Sequence, residues 1–155
     1  MKKTDLAYMA GIFDGEGCIC IGKHQKKKTW NPTYSLKVNL VMCNPYIPNL
    51  FCFTFGGIVY ERKRHERHLS EWNWQLNSAK AIPFLTVLLP YLKLKRDEAR
   101  LAIEFQKNKK NTHTSRGNPY KPEQVALFEA QKILLKSLHN KSGVERNESK
   151  ENVNA

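Results

Sequence analysis

Apolar and polar positions change period several times along the chain, and each change marks an element. From residue 6 to 13 the spacing is helical, with Leu6, Met9, Ala10 and Phe13 on one stripe and the small residues Ala7, Gly11 and Gly15 on a second stripe beside it. Thr4 and Asp5 are N-cap residues by type, so a helix is expected from there through Phe13 or Asp14, with Gly15 and Gly17 freeing the backbone to turn. From Cys18 the period falls to two. Ile19 and Ile21 alternate with Cys18, Cys20, Gly22, His24, Lys26 and Lys28, and after a turn at WNPT the residues Tyr34, Leu36, Val38, Leu40 and Met42 alternate with Ser35, Lys37, Asn39 and Val41. This pattern predicts a hairpin with one apolar and one polar face. Asn44-Pro45 ends it, and IPNLFCFTF reads as a short buried helix that stops at Gly56-Gly57.

The design then repeats. Strands over 58–64 and 69–77 make a second hairpin, with Trp72, Trp74 and Leu76 on one side. Tyr60 can face either way, because the register of the third strand is open by one residue. AKAIPFLTVLLPYL and KLKRDEARLAIEFQKN supply two helices broken near Pro90, and EQVALFEAQKILLKSLHN is a last amphipathic helix. Residues 1–140 therefore predict one α+β domain of order αββαββα: a four-stranded antiparallel, saddle-shaped sheet with helices on its apolar face. Residues 141–155 have too little apolar content to fold and are expected to form a disordered tail.

Composition sharpens this picture. The 155 residues are 41% hydrophobic and 26% charged, an ordinary globular balance. No apolar run is long enough for a membrane span and the amino end lacks a signal-peptide pattern, so an intracellular protein is expected, in the cytoplasm or in the matrix of a mitochondrion or chloroplast, not secreted. The four cysteines have no disulfide-scaffold spacing and read as reduced thiols. Strand periodicity accounts for Cys18 and Cys20 without a zinc site. The net charge of +12 matters more, because 17–60 contains no acid while Lys23, Lys26, Lys27, Lys28 and Lys37 all fall there. A basic strand face that helices leave open suits a polyphosphate, and a two-stranded ribbon fits the major groove of duplex DNA. With the tryptophans directed to the core, duplex is favoured over single strands stacked on the sheet.

Against that background the acids Asp14 and Glu16 are electrostatically misplaced for binding alone, unless a divalent cation lies between them and a phosphate. A helix stop with two solvated acids is the plain alternative, although an acid at a helix C-terminus opposes the macrodipole.

The segment MAGIFDGEG resembles the signature of the LAGLIDADG homing endonuclease family, with Met9 at the first leucine position, Ile12 and Phe13 as the apolar pair, and Asp14 and Glu16 as the acids. The αββαββα order extends the likeness, and PYLKLKRDEA looks like the family's stretch with an active-site lysine. The resemblance implies Mg²⁺-dependent, site-specific cleavage of double-stranded DNA, with Ca²⁺ supporting binding without cleavage and no small-molecule cofactor. By position it makes Glu16 the metal-ligating acid, Gly15 a carbonyl ligand, Asp14 the more structural acid, and Lys95 the lysine near the scissile phosphates. A polar residue expected where the second strand meets the next helix is replaced by Met42, which leaves Asn44 as the catalytic candidate there. DNA contacts are implied for Gly22, His24, Lys26, Lys28, Ser35, Lys37, Asn39, Tyr60, Arg62, Arg64, Glu71, Asn73 and Gln75.

DGEG occurs once. Cutting two strands with one motif per chain implies a homodimer about a twofold axis between these helices, with Ala7, Gly11 and Gly15 at the contact and a long pseudo-palindromic target. The competing readings are a catalytically silent binder on the same fold, either an RNA maturase assisting intron splicing or a transcription regulator, and a protein-interaction module whose basic face is incidental. Glu16 and Lys95 favour a nuclease over a binder, and the resemblance implies one that is intron-encoded.

Overall fold

A computed structural model of the chain describes residues 1–25, 32–63, 70–111 and 120–153. Its elements are α1 (Lys3–Glu16), β1 (Gly17–His24), β2 (Thr33–Met42), α2 (Tyr46–Phe55), β3 (Ile58–Arg62), β4 (Glu71–Asn77), a single 3₁₀ turn (Ser78–Lys80), α3 (Ala81–Leu88), α4 (Arg96–Asn111) and α5 (Pro122–Val153). The sheet is antiparallel throughout, in the order β1-β2-β4-β3, so the two hairpins meet through β2 and β4. The predicted α+β order is present. α1 starts earlier than its sequence suggests, because Asp5 caps from inside: its carboxylate accepts the Lys2 N–H at 3.0 Å. α5 continues as helical backbone through 141–153, a polar stretch whose composition gives no packing reason for it.

Strand parity decides which face is core. Ile19, Ile21, Tyr34, Leu36, Val38, Leu40, Trp74 and Leu76 are buried under the helices. The helices are joined to one another through aromatic edges: Phe84 of α3 meets Phe13 of α1 at 5.0 Å, Phe55 of α2 at 4.9 Å and Trp74 of β4 at 5.0 Å between ring centroids. The Trp74 indole N–H, which burial would otherwise orphan, donates to the Gly56 carbonyl at 2.8 Å. Gly57 is constrained twice over, by φ of +99° and because a Cβ there would come within 2.5 Å of the Gln75 carbonyl oxygen.

α5 covers the free edge of β1, and one carboxylate ties the two together. Glu129 accepts the Tyr34 hydroxyl at 2.7 Å and pairs with Lys132 at 2.9 Å and Lys23 at 3.0 Å. The Tyr34 hydrogen bond, then the lysines, hold its carboxyl down at about 2 from an ordinary 4.5. A depressed folded-state value contributes stability that is present above the ordinary carboxylate range and lost as pH falls through the folded value. The stability difference between wild type and Glu129→Gln, measured by urea unfolding, is therefore expected to shrink as pH is lowered from 4.5 to about 2.

Candidate acidic site and nucleic-acid interface

The two acids of DGEG have opposite environments. Asp14 is buried, and its carboxylate accepts the backbone N–H of Lys93 at 2.7 Å and of Lys95 at 2.9 Å. Lys95 is buried too, at 2% exposure, and its ammonium donates to the Asp14 backbone carbonyl. The helix expected to begin at residue 93 begins at Arg96 for this reason, since two N–H groups of the KLK segment are turned toward Asp14. The ammonium also satisfies one of the carbonyls that a helix end leaves free, and places positive charge where the macrodipole is negative. Glu16, two residues on, is exposed and has no hydrogen bond or ion pair among the described residues.

The turn between α1 and β1 is sharp because of volume, not backbone freedom. Gly17 has φ −75° and ψ 158°, which any residue adopts, and neither Gly15 nor Gly17 is among the positive-φ glycines. What Gly17 supplies is the absence of a side chain: a Cβ would fall 2.2 Å from a ring carbon of Phe13. The expectation of glycines chosen for flexibility is corrected here, and Gly15 serves differently. It is exposed, as are Ala7 and Gly11, and among the described residues no atom beyond the helix's own turn stands within 4 Å of a Cβ built at Gly11 or Gly15. Tyr8, 57% exposed, neighbours this stripe on α1. Leu94, 43% exposed, sits between the two residues whose N–H groups Asp14 holds.

From this corner the open face of the sheet extends in cross-strand rows. Val41, Asn73 and Tyr60 form one row, which fixes the register of the third strand and turns Tyr60 to the open side. Cys18, Asn39, Gln75 and Ile58 form the next, and Cys20, Lys37 and Asn77 the one after. Gly22 lies opposite Ser35, whose hydroxyl is 3.1 Å from the His24 ring. Arg62 pairs with Glu71 across β3 and β4 at 3.8 Å. Asn73 is 6% exposed with its Oδ1 unpartnered, the one buried orphan acceptor on this face among the described residues. Lys26, Lys28 and Arg64 lie outside the described residues. Asn44 acts locally in the structure. It is exposed, and its side-chain carbonyl accepts the Tyr46 N–H at 2.8 Å where α2 begins.

No family model matches the chain, and no curated protein matches it. Solved structures do. The homing endonuclease I-CvuI, in complex with its target in the presence of Ca, is 20% identical at a TM-score of 0.69, over 87% of this chain and 82% of that one. The chain has the LAGLIDADG homing endonuclease fold. A second homing endonuclease, I-TnaI, is 15% identical at a TM-score of 0.63, over 88% of this chain and 97% of that one. The LAGLIDADG meganuclease I-AabMI, bound to uncleaved DNA, is 18% identical at 0.63, but the 81% of this chain that aligns spans 44% of its length.

The arrangement separates an anchoring acid from an exposed one. Asp14→Ala would strand the buried Lys95 N–H and the part-buried Lys93 N–H, at a cost of about 2–4 kcal/mol. Equilibrium urea unfolding checks this. The same measurement on Glu16→Ala should move by less than about 0.5 kcal/mol, since an exposed acid without a partner is removed.

Proposed function

We propose that the protein is a homodimeric, divalent-metal-dependent DNA endonuclease that hydrolyses phosphodiester bonds at a long pseudo-palindromic site, and that it is intron-encoded. The observation that carries this reading is the division between the acids: Asp14 is consumed by the fold, while Glu16 is held at the rim of an open polar sheet face with nothing to neutralise it. A protein that only bound a polyanion would gain by losing Glu16.

The donors at the corner suit a hard cation such as Mg²⁺. Glu16 offers carboxylate oxygens and Gly15 a helix-end carbonyl, the ligand chemistry such ions take. One chain is insufficient: among the described residues no group of three or more His, Cys, Asp or Glu side chains could hold a metal ion. Phosphate oxygens, water and a second Glu16 would complete the coordination. When bound, the ion would supply charge neutralisation at the phosphate and a polarised water. Lys95 acts from beneath, its buried charge fixing the last turn of α1 and so the direction of Glu16. It also offers a cation close to the charge that develops on the phosphate. Asn44 is placed at the α2 start by its bond to Tyr46 and would act through its amide N–H.

The open rows supply the reading surface. Gly22, His24, Ser35, Lys37, Asn39, Tyr60, Arg62, Glu71, Asn73 and Gln75 would meet base edges and phosphates, joined by Lys26, Lys28 and Arg64 of the hairpin ends. The exposed stripe of Ala7, Gly11 and Gly15 supports pairing of two α1 helices, which would bring two Glu16 carboxylates to one stretch of duplex. A meganuclease of this fold whose chain is more than twice the aligned length supports the same idea of two such units working together.

Sequencing the ends of a randomised duplex library after incubation is expected to show specific cuts with Mg²⁺, retention without cutting with Ca²⁺, and no cuts by Glu16→Gln. Binding without cleavage in every condition would instead make the chain a silent binder. Gly11→Leu is expected to leave each chain folded, because among the described residues no atom beyond its own helix turn stands within 4 Å of the added Cβ. Sedimentation should then find a monomer, and cleavage should fall at least tenfold.

A further inference from the structure

Beyond the row of Cys20, Lys37 and Asn77 the sheet narrows. β4 ends at Asn77, whereas β2 continues outward to Thr33 with only β1 beside it. The chain leaves β4 at Ser78, whose φ of 51° makes it the one non-glycine residue in a left-handed conformation among the described residues. A residue with a Cβ adopts that conformation only under constraint.

The vacated space is taken by the end of α4. Lys109 lines a cavity of about 620 Å³ together with Ser78 and Ala79, and its ammonium donates to the Tyr34 carbonyl. The last turn of α4 therefore stands beside β2 on the side that β4 has left. Lys107 and Lys110 line the same cavity. A second cavity, of about 380 Å³, shares Ser78 and Ala79 with the first and runs from Lys80 to Gln75 and Ile58 of the open face. Together they make one trough that starts on the open face and ends among the lysines of α4.

Among the described residues no Asp or Glu lines either cavity. Lys80, Lys107 and Lys110 are all exposed, and none of them has an ion pair among the described residues. The helix dipole accounts for a lysine in the last turn of α4, but Lys109 is already turned inward there, and Lys80 comes from a different element. Three like charges around a trough without an acid repel one another, and a polyanion is the partner that relieves the repulsion.

We propose that this trough is a phosphate-binding wall, in which Lys80, Lys107 and Lys110 take one sugar–phosphate backbone of a duplex whose major groove holds the β1–β2 ribbon. The inference rests on the DNA-facing reading of the sheet and adds to it a contact surface outside the strands. The major groove is about 12 Å wide, so a two-stranded ribbon lying in it has a phosphate backbone on each side. α5 borders the ribbon along β1. Along β2, where β4 is missing, the trough does so. Phosphate contacts fix the register and orientation of a duplex and carry no sequence information, so these lysines would hold what the rows of the open face read.

The test is duplex binding, followed by fluorescence anisotropy with DNA of random sequence over a series of salt concentrations. Lys107→Ala and Lys110→Ala are each expected to lower the slope of log affinity against log salt by about one per chain, and to weaken binding to every sequence alike. Lys107→Arg should keep the wild-type slope. Lys3→Ala removes an equal charge from the far end of α1, about 20 Å from Glu16, and should leave the slope as it is. A slope unchanged in both Lys107→Ala and Lys110→Ala, or lowered as much by Lys3→Ala, would overturn the wall and leave the nuclease reading in place. Wild-type binding that ignores salt would overturn both.

Discussion

A single buried carboxylate holds the architecture in register. Asp14 takes two backbone N–H groups from the segment before α4, and the ammonium of that same segment returns to the Asp14 carbonyl, so three hydrogen bonds lock α1 to a turn at 93–95 that is far from it in sequence. An ionised acceptor makes such bonds stronger than neutral ones, and their burial makes any substitute expensive. α1 sits against the core through Phe13 and Phe84, and from that fixed helix β1 departs. Everything the sheet presents is positioned relative to this corner.

The same corner explains how a basic protein tolerates acids. Two carboxylates in the last turn of an apolar helix would repel each other and oppose the helix dipole. Here one is neutralised by backbone donors and a buried lysine, and only the other carries uncompensated charge to the surface. The open face continues this economy. Its polar members are paired or shared, as with Arg62 and Glu71, or His24 and Ser35, while Asn73 is held with an unmet acceptor that a bound ligand or water could fill.

Strand parity was legible in the sequence because a period of two has no ambiguity once Ile19, Leu36 and Trp74 are known to be inside. The order of elements and the open face followed from it. The acids were legible by kind but not by environment: nothing in DGEG says that Asp14 reaches residues 93 and 95, because the contact is between segments far apart in sequence. Lys95 was singled out by resemblance, and its depth in the interior had no local signal at all. Gly17 escapes local reading for a related reason. Glycine after a helix suggests a left-handed cap, whereas the structure needs room for a ring that lies four residues earlier. Cys18 and Cys20 were placed on the open face by the same alternation, opposite Asn39 and Lys37.

The crowding of Gly17 against Phe13 has an evolutionary corollary. No side chain of any size can be admitted at that corner, and the ring that forbids it is itself wedged against Phe84 in the core, so the direction in which Glu16 points is inherited with the fold and closed to gradual adjustment. A few residues along the same strand, the atoms nearest a Cβ at Gly22 belong to the movable side chains of His24 and Ser35, and all three residues stand toward the open surface. Fixed geometry and adjustable surface are thereby apportioned along the eight residues of β1. A lineage of such chains can diversify at the open end of the strand while the acid keeps its station.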